Sequence, residues 1–361
     1  EIYMGDWSSD VCSSDLWDMH VHIGPTDGLL HMAAGVTSVR DLANDNDGLM
    51  LVKKSIEQGT AIGPRITMRG FMDGRGPYTG PTKVFVDTEA EARSAIENYA
   101  KLGYEGIKVY SSIKPELIPT IFKLAHDAGL RVSGHVPAFM TAQQFVEAGA
   151  DEIQHINMLF LNFFFDEVKD TRTPARFIAV AERGATLDLN SQRVRSFIKL
   201  LKDRNVVVDP TIVAFDTMFT DRPGKMSESY AAIADRLPPQ VRRSFLVGGL
   251  PVPEGKDARY RESARALLRM TKLLYDSGIT IVPGTDALPG FTLHRELELY
   301  AQAGIPTPEV LRIATLGAAR VARRDKELGS ITPGKLADMV LIDGDPAKRI
   351  GDLYGDRKSV V

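Results

Sequence analysis

Short apolar runs alternate with amphipathic stretches along most of this chain. The runs at 17–23 (WDMHVHI), 36–42 (VTSVRDL), 65–70 (RITMRG), 106–112 (GIKVYSS), 131–136 (RVSGHV), 152–156 (EIQHI), 206–212 (VVVDPTI) and 280–285 (TIVPGT) read as buried strands. Between them, TEAEARSAIENYAKLG carries apolar residues at helical spacing and stops at a glycine. KPELIPTIFKLAHDAG does the same, apart from Pro119 near its start. Eight such runs, most followed by a helical stretch, predict an α/β fold, a parallel (β/α)8 TIM barrel. No solenoid repeat and no low-complexity tract interrupts the pattern.

The barrel is expected over 17–326. The segment 215–262 is rich in Pro, Gly and charge, and reads as an insertion after the seventh strand. It is either a cover over the barrel mouth or a peripheral elaboration. At 327–355, LGSITPGKLADMVLIDGD reads as two short strands around a Pro-Gly turn. An isolated hairpin is marginal in water, so these strands need a partner sheet. Both ends of the chain look foreign. DWSSDVCSSDL (6–16) resembles a translated DNA-sequencing adapter, and DRKSVV (356–361) its opposite-end counterpart. Segments 1–16 and 356–361 are therefore expected to be non-native and are set aside from fold reasoning. On that expectation the native N-terminus is missing, the small domain it belonged to is incomplete, and the localisation is left open.

Hydrophobic residues make up 43% and charged residues 25%, enough apolar material for a sizeable core. A net charge of −3 leaves no electrostatic footprint for nucleic acid or an acidic membrane surface. No apolar run is long enough to cross a bilayer. The single cysteine, Cys12, cannot form an internal disulfide.

What changes the picture is where the histidines fall. His20 and His22, Lys108, His135, His155 and Asp286 each stand at or near the end of a predicted strand. A closed barrel makes those ends neighbours. His20 and His22 are two apart, so both rings point to one face of a strand. Imidazole is a good ligand for zinc, the default metal for such a donor set, although manganese or cobalt suits it too. A lysine facing the barrel interior carries a heavy desolvation cost, which favours a neutral, nucleophilic amine. Such an amine can take up carbon dioxide, and the carbamate (N6-carboxylysine) can bridge two cations. The competing reading is a Lys108 ammonium that snorkels to the rim. His135 and His155 could hold a second ion. Asp286 could touch the first ion and the attacking water, or cap the following helix. The expected chemistry is a hydroxide bridging two divalent metals, with Asp286 as the catalytic proton carrier. No GxSxG elbow and no usable cysteine nucleophile is present, which disfavours acyl-enzyme chemistry.

The segments DMHVHIG, GVTSVRDL, GIKVYSS, GHVP, IQHI, PGTDA and LGSITPGKLADMVLIDGDP, in this order, resemble the amidohydrolase superfamily of metal-dependent hydrolases. The likeness runs over roughly 17–355 and is nearest to the imidazolonepropionase-like branch that includes prolidase-type Xaa-Pro dipeptidases. The resemblance implies that His20, His22 and Asp286 bind one metal, that His135 and His155 bind the other, and that a carboxylated Lys108 bridges them. It also implies a small β-sandwich, of which 327–355 would be the C-terminal part. The reaction implied is cleavage of an amide bond in a dipeptide or an N-acyl amino acid. A cyclic amide or lactone hydrolase of the same superfamily, or an inactive metal-binding fragment, are the alternatives. HVP after strand five and VYSSIKPE after strand four depart from patterns common among the peptidases, so the substrate is less defined than the reaction. Imidazolonepropionase itself lacks the bridging lysine, and Lys108 argues against that activity.

Four residues are candidates for substrate contact: Tyr110, which should face the same way as Lys108, Arg69, Phe164 and His294. Phe164 belongs to a phenylalanine-rich stretch leaving strand six, which is either a greasy pocket wall or ordinary core packing. The partner expected is a small molecule or dipeptide, not nucleic acid or membrane; a homo-oligomer is left open.

Overall fold

The computed structural model describes residues 10–360, with residues 10–13 and 356–360 described by their backbone alone. The first strand, β1 (Asp10–Ser14), stands apart from the barrel. The next seven lie side by side and all parallel: β2 (Leu16–Val21), β3 (Val36–Asp41), β4 (Arg65–Met72), β5 (Gly106–Val109), β6 (Arg131–Gly134), β7 (Glu152–Gln154) and β8 (Val207–Asp209). Every residue of β2 and β3 is buried, as expected of strands covered on both faces.

The eighth run closes the ring, but not as a regular strand. Val208 N donates to Thr280 O (2.9 Å) and Val282 N to Val208 O (3.0 Å) on one side. On the other, Met19 N donates to Pro283 O (2.8 Å) and Asp286 N to His20 O (2.9 Å). Pro283 has no N–H to continue a ladder, so 280–285 pairs through a single bridge and a few hydrogen bonds. The result is a nearly closed α/β barrel of the expected TIM type, with helices around it.

Local chemistry explains the helices. Thr88 caps Glu89–Lys101 by accepting from Glu91 N, and that helix buries Ala92, Ile96 and Tyr99. Tyr99 lies flat over Gly70, where an added Cβ would stand 2.4 Å from the ring. Pro119 falls in the first turn of Ile118–Asp127, the one place where a missing N–H costs nothing.

After β8 the chain enters a helix at once, Ile212–Thr220, followed by short helical pieces and then the long helix Asp257–Asp276. Arg295, on the helix Phe291–Gln302, ties down this region through Asp216 (3.2 Å) and Glu228 (3.5 Å).

The tail corrects one expectation. Residues 328–337 form turns rather than the first arm of a hairpin, and only Met339–Asp343 (β9) is extended. The Lys335 ammonium binds Leu328 O (3.1 Å) and Ser330 Oγ (2.7 Å), which folds the Pro-Gly segment back on itself. Both edges of β9 are occupied: β1 pairs on one side and β10 (Asp356–Val360) on the other, each antiparallel. The partner strands thus come from the two end segments set aside on sequence grounds; residues 1–9 and 361 of those segments lie outside the described residues.

Inside the barrel, Arg40 of β3 forms a forked ion pair with Glu152 of β7 (2.7 and 2.5 Å), both buried. Breaking such a pair leaves an uncompensated interior charge. Glu152→Ala is expected to cost about 3–5 kcal/mol of unfolding free energy in denaturant titration, and Arg40→Met with Glu152→Met to recover most of it. A stable single variant would show that the pair does not hold the barrel.

Candidate metal centre

The C-terminal ends of the strands bring the histidines together, each with one ring nitrogen held by a neighbour. His20, fully buried on β2, holds Asp209 Oδ2 at 2.7 Å through Nδ1. Its Nε2 is left to face Lys108 Nζ at 3.2 Å. His22, just past β2, donates from Nδ1 to Ala43 O (2.8 Å), because a carbonyl can only accept. Its Nε2 is thus the nitrogen that faces Asp286 Oδ1, 3.1 Å away. His155 Nδ1 meets Thr211 Oγ1 at 2.8 Å, and its Nε2 lies 3.9 Å from Asp286 Oδ2. His135 Nδ1 is 3.3 Å from Ser111 Oγ, and its ring centroid is 4.5 Å from that of His155. One donor atom each from His20, His22 and Asp286 lies within 4.8 Å of the others.

The electrostatics suit cations. Burial first, then the neighbouring Lys108 and His155, push His20 well below its ordinary range. Burial and then His155 and Lys108 do the same to His135. His155 drops to about 3, chiefly through burial. All three rings are neutral at neutral pH, so their lone pairs are free. Burial alone would raise Asp286, but the His22 hydrogen bond and the nearby Lys108 hold it below the usual carboxylate range. It is an anion. Burial lowers Lys108 to about 8 against the partial opposition of Asp286, Asp209 and Asp41, and its amine has no ion-pair partner among the described residues. Neutral imidazoles beside a carboxylate form a donor set that fits a divalent ion.

The backbone is strained where the site is built. His155, Thr211 and Asp286 all have positive φ (72°, 46° and 49°), at the ends of three successive barrel segments. Glu296 accepts from Ile212 N (3.0 Å) and Val213 N (2.7 Å), which pins the turn that carries Thr211. Burial raises Glu296 to about 8. Asp286 does not cap the following helix, whose N-terminus at Phe291 is preceded by Gly290.

The proposed substrate contacts scatter. Tyr110 lines the cavity above the histidines, its ring centroid 4.0 Å from that of His135. Arg69 lies deeper in the barrel against Gly106, buried, with Nη1 unpartnered, and burial lowers it to about 10. Phe164 is 8% exposed and packs in the core, because the chain turns helical straight after His155 and carries the phenylalanines outward. His294 is buried away from the cavity lining: its Nε2 donates to Ala34 O (2.8 Å) and its ring stands edge-on to Tyr354. The apolar wall comes instead from Met158, Phe177, Phe215 and Met218. Sequence reasoning missed Asp209, Thr211, Asn157 and Arg176. Asp209 left one signal, an acid at the end of the apolar run VVVDP; the others left none.

The sequence pattern of the amidohydrolase family matches residues 30–361. The fold resembles the crystal structure of a Xaa-Pro dipeptidase with bound methionine in the active site, with a TM-score of 0.66 and 19% identity, over 100% of this chain and 89% of that one. It also resembles bottromycin amidohydrolase, with a TM-score of 0.73 and 20% identity, over 98% of this chain and 76% of that one. An imidazolonepropionase from Thermoanaerobacter pseudethanolicus is 36% identical over 75 residues, 19% of this chain and 18% of that relative. An adenine deaminase from Mesorhizobium japonicum is 28% identical over 116 residues, 27% of this chain and 19% of that relative, so the matched stretches span less than a fifth of either relative.

Asp209 orients His20 from behind, as a carboxylate does for a metal-binding imidazole. Asp209→Asn is expected to weaken metal affinity about 10–100-fold, measured by competition with a chelating dye. Unchanged affinity would mean that the Asp209–His20 contact does not position the ligand.

Proposed function

From the premise that this chain belongs to the amidohydrolase family, a family of hydrolases acting on amide bonds, we propose that it hydrolyses the amide bond of a dipeptide or N-acyl amino acid at a two-metal centre. His20, His22 and Asp286 would hold one ion and His135 and His155 the other, with a carboxylated Lys108 between them. When bound, the two ions would supply a water acidic enough to attack near neutral pH and a Lewis acid for the scissile carbonyl.

The remaining steps belong to the chain's own residues. Lys108, at about 8, offers a sizeable fraction of free amine. Its nitrogen attacks carbon dioxide, an N–C bond forms, and a proton leaves to solvent. The product is an anion where none of the described side chains pairs with the amine. Asp286, placed between His22 and His155, accepts the proton of the attacking water and passes it to the leaving nitrogen. Burial raises the Tyr110 phenol, which stays protonated and can donate to the developing oxyanion.

The observation that carries this reading is the 3.2 Å approach of Lys108 Nζ to His20 Nε2: a buried amine facing the free nitrogen of an oriented imidazole. The names of the two structural relatives, a dipeptidase and an amidohydrolase, favour an amide over an ester. The test is metal content together with turnover on a library of dipeptides and N-acyl amino acids. About two divalent ions per chain are expected. Lys108→Ala should lose at least one ion and nearly all turnover. Full metal content and activity in that variant would remove the bridging lysine from the mechanism.

A further inference from the structure

The cavity beside the metal centre holds two side chains with unspent bonding capacity, wholly so in Asn157 and in part in Arg176. Asn157, immediately past the strained His155–Ile156 turn, is 1% exposed, yet neither its Nδ2 nor its Oδ1 has a partner. Arg176 lines the same cavity with a buried and unpartnered Nε. Its guanidinium reaches only neutral partners: Nη1 donates to Thr171 O (3.1 Å) and Ser111 Oγ (3.4 Å), and the side chain also hydrogen-bonds the Tyr110 hydroxyl. Other arginines on the same stretch of chain are neutralised, Arg172 by Asp170 and Arg183 by Glu167. Arg176 has no carboxylate partner among the described residues. The Phe177 ring, 4.5 Å from its guanidinium carbon, steadies it. Met158, Phe177 and Phe215 form the apolar side of the same cavity, which opens onto His135, His155 and Asp286.

A buried polar group left unsatisfied is costly, so a set of them around one cavity describes the complement of a ligand. An unpaired guanidinium calls for an anion that can accept two hydrogen bonds, which a carboxylate does. A primary amide with both a free donor and a free acceptor calls for a group presenting C=O and N–H together, which a secondary amide does. The apolar wall calls for a hydrocarbon side chain. We propose that Arg176 and Asn157 are the receptor for the substrate's free α-carboxylate and its secondary amide, so that the enzyme selects N-acyl amino acids and dipeptides with an apolar C-terminal residue other than proline. An amide to a proline nitrogen has no N–H to give Asn157 Oδ1. This rests on the reading of the site as an amide hydrolase and narrows it.

The probes are N-acetyl-L-phenylalanine, its C-terminal carboxamide, and its N-methyl analogue, whose amide lacks the N–H. The holoenzyme should favour the free acid over the carboxamide, and the N–H amide over the N-methyl one, each on the order of 10- to 100-fold in kcat/KM. Arg176→Gln should collapse the first ratio toward one and keep the second. Asn157→Leu should do the reverse. Arg176→Lys, which keeps the charge, should restore part of the acid preference and so separates a lost contact from a lost fold. Calorimetric binding of N-acetyl-L-phenylalanine to metal-free wild type and Arg176→Gln gives the same comparison without turnover. Equal handling of acid and carboxamide by the wild type, in turnover or in binding, would overturn the receptor while leaving amide hydrolysis intact. Selective binding without hydrolysis of any probe would do the opposite.

Discussion

The chain of contacts from His20 through Asp209 to Arg40 and Glu152 is the constraint on which the site depends. A parallel barrel has a dry interior, and every charge placed there must be matched. Arg40 is matched by Glu152, and Asp209 lies 3.8 Å from Arg40 while holding His20. Burial still raises Asp209 well above its ordinary range, opposed first by Arg40. In this lower layer Arg40, Glu152 and Asp209 hold one another in place as a fixed base, although Arg69 beside them keeps an unpartnered Nη1. The layer above is different. Lys108 has an imidazole beside it and no ion-pair partner among the described residues. The unsettled layer is the one that faces the cavity.

Rigidity at the base allows strain at the rim. His155, Thr211 and Asp286 hold left-handed conformations that their side chains disfavour, and each is stabilised from outside. Asp286 N is tied to His20 O, His155 N to Asp209 O, and the turn after Thr211 to the Glu296 carboxylate. These contacts re-aim residues away from the direction a continuing strand would give them. His155 and Asp286 thereby turn inward over the barrel axis, and the helix that follows Thr211 brings Phe215 to the cavity wall.

The strands and the ligand order were legible because both depend on local spacing. A two-residue period places His20 and His22 on one face, and an apolar run ended by a polar residue marks where a strand opens to the site. The same logic left Phe164 open between pocket wall and core packing; a positive φ at His155 turns the chain into a helix, and Phe164 packs in the core. It misled at residues 328–337, where the Pro-Gly pair suggested a hairpin and Lys335 bonds fold the segment into turns. Arg69 and His294 look like binding residues in a linear sequence, since nothing there shows that one sits below the ligand layer and the other on the far side of its helix.

By itself the sequence determined the barrel, the face on which each strand presents its donor, and the chemical type of the centre, because period, apolar run length and residue chemistry are properties of short stretches. Tertiary structure alone decided which nitrogen of each histidine is free, which carboxylate orients His20, what pairs with β9, and which unpaired groups surround the cavity. Those outcomes depend on residues far apart in the chain, such as His20 with Asp209, Val213 with Glu296, and Ser111 with Arg176. No local pattern encodes a contact between segments that meet only after the ring has closed.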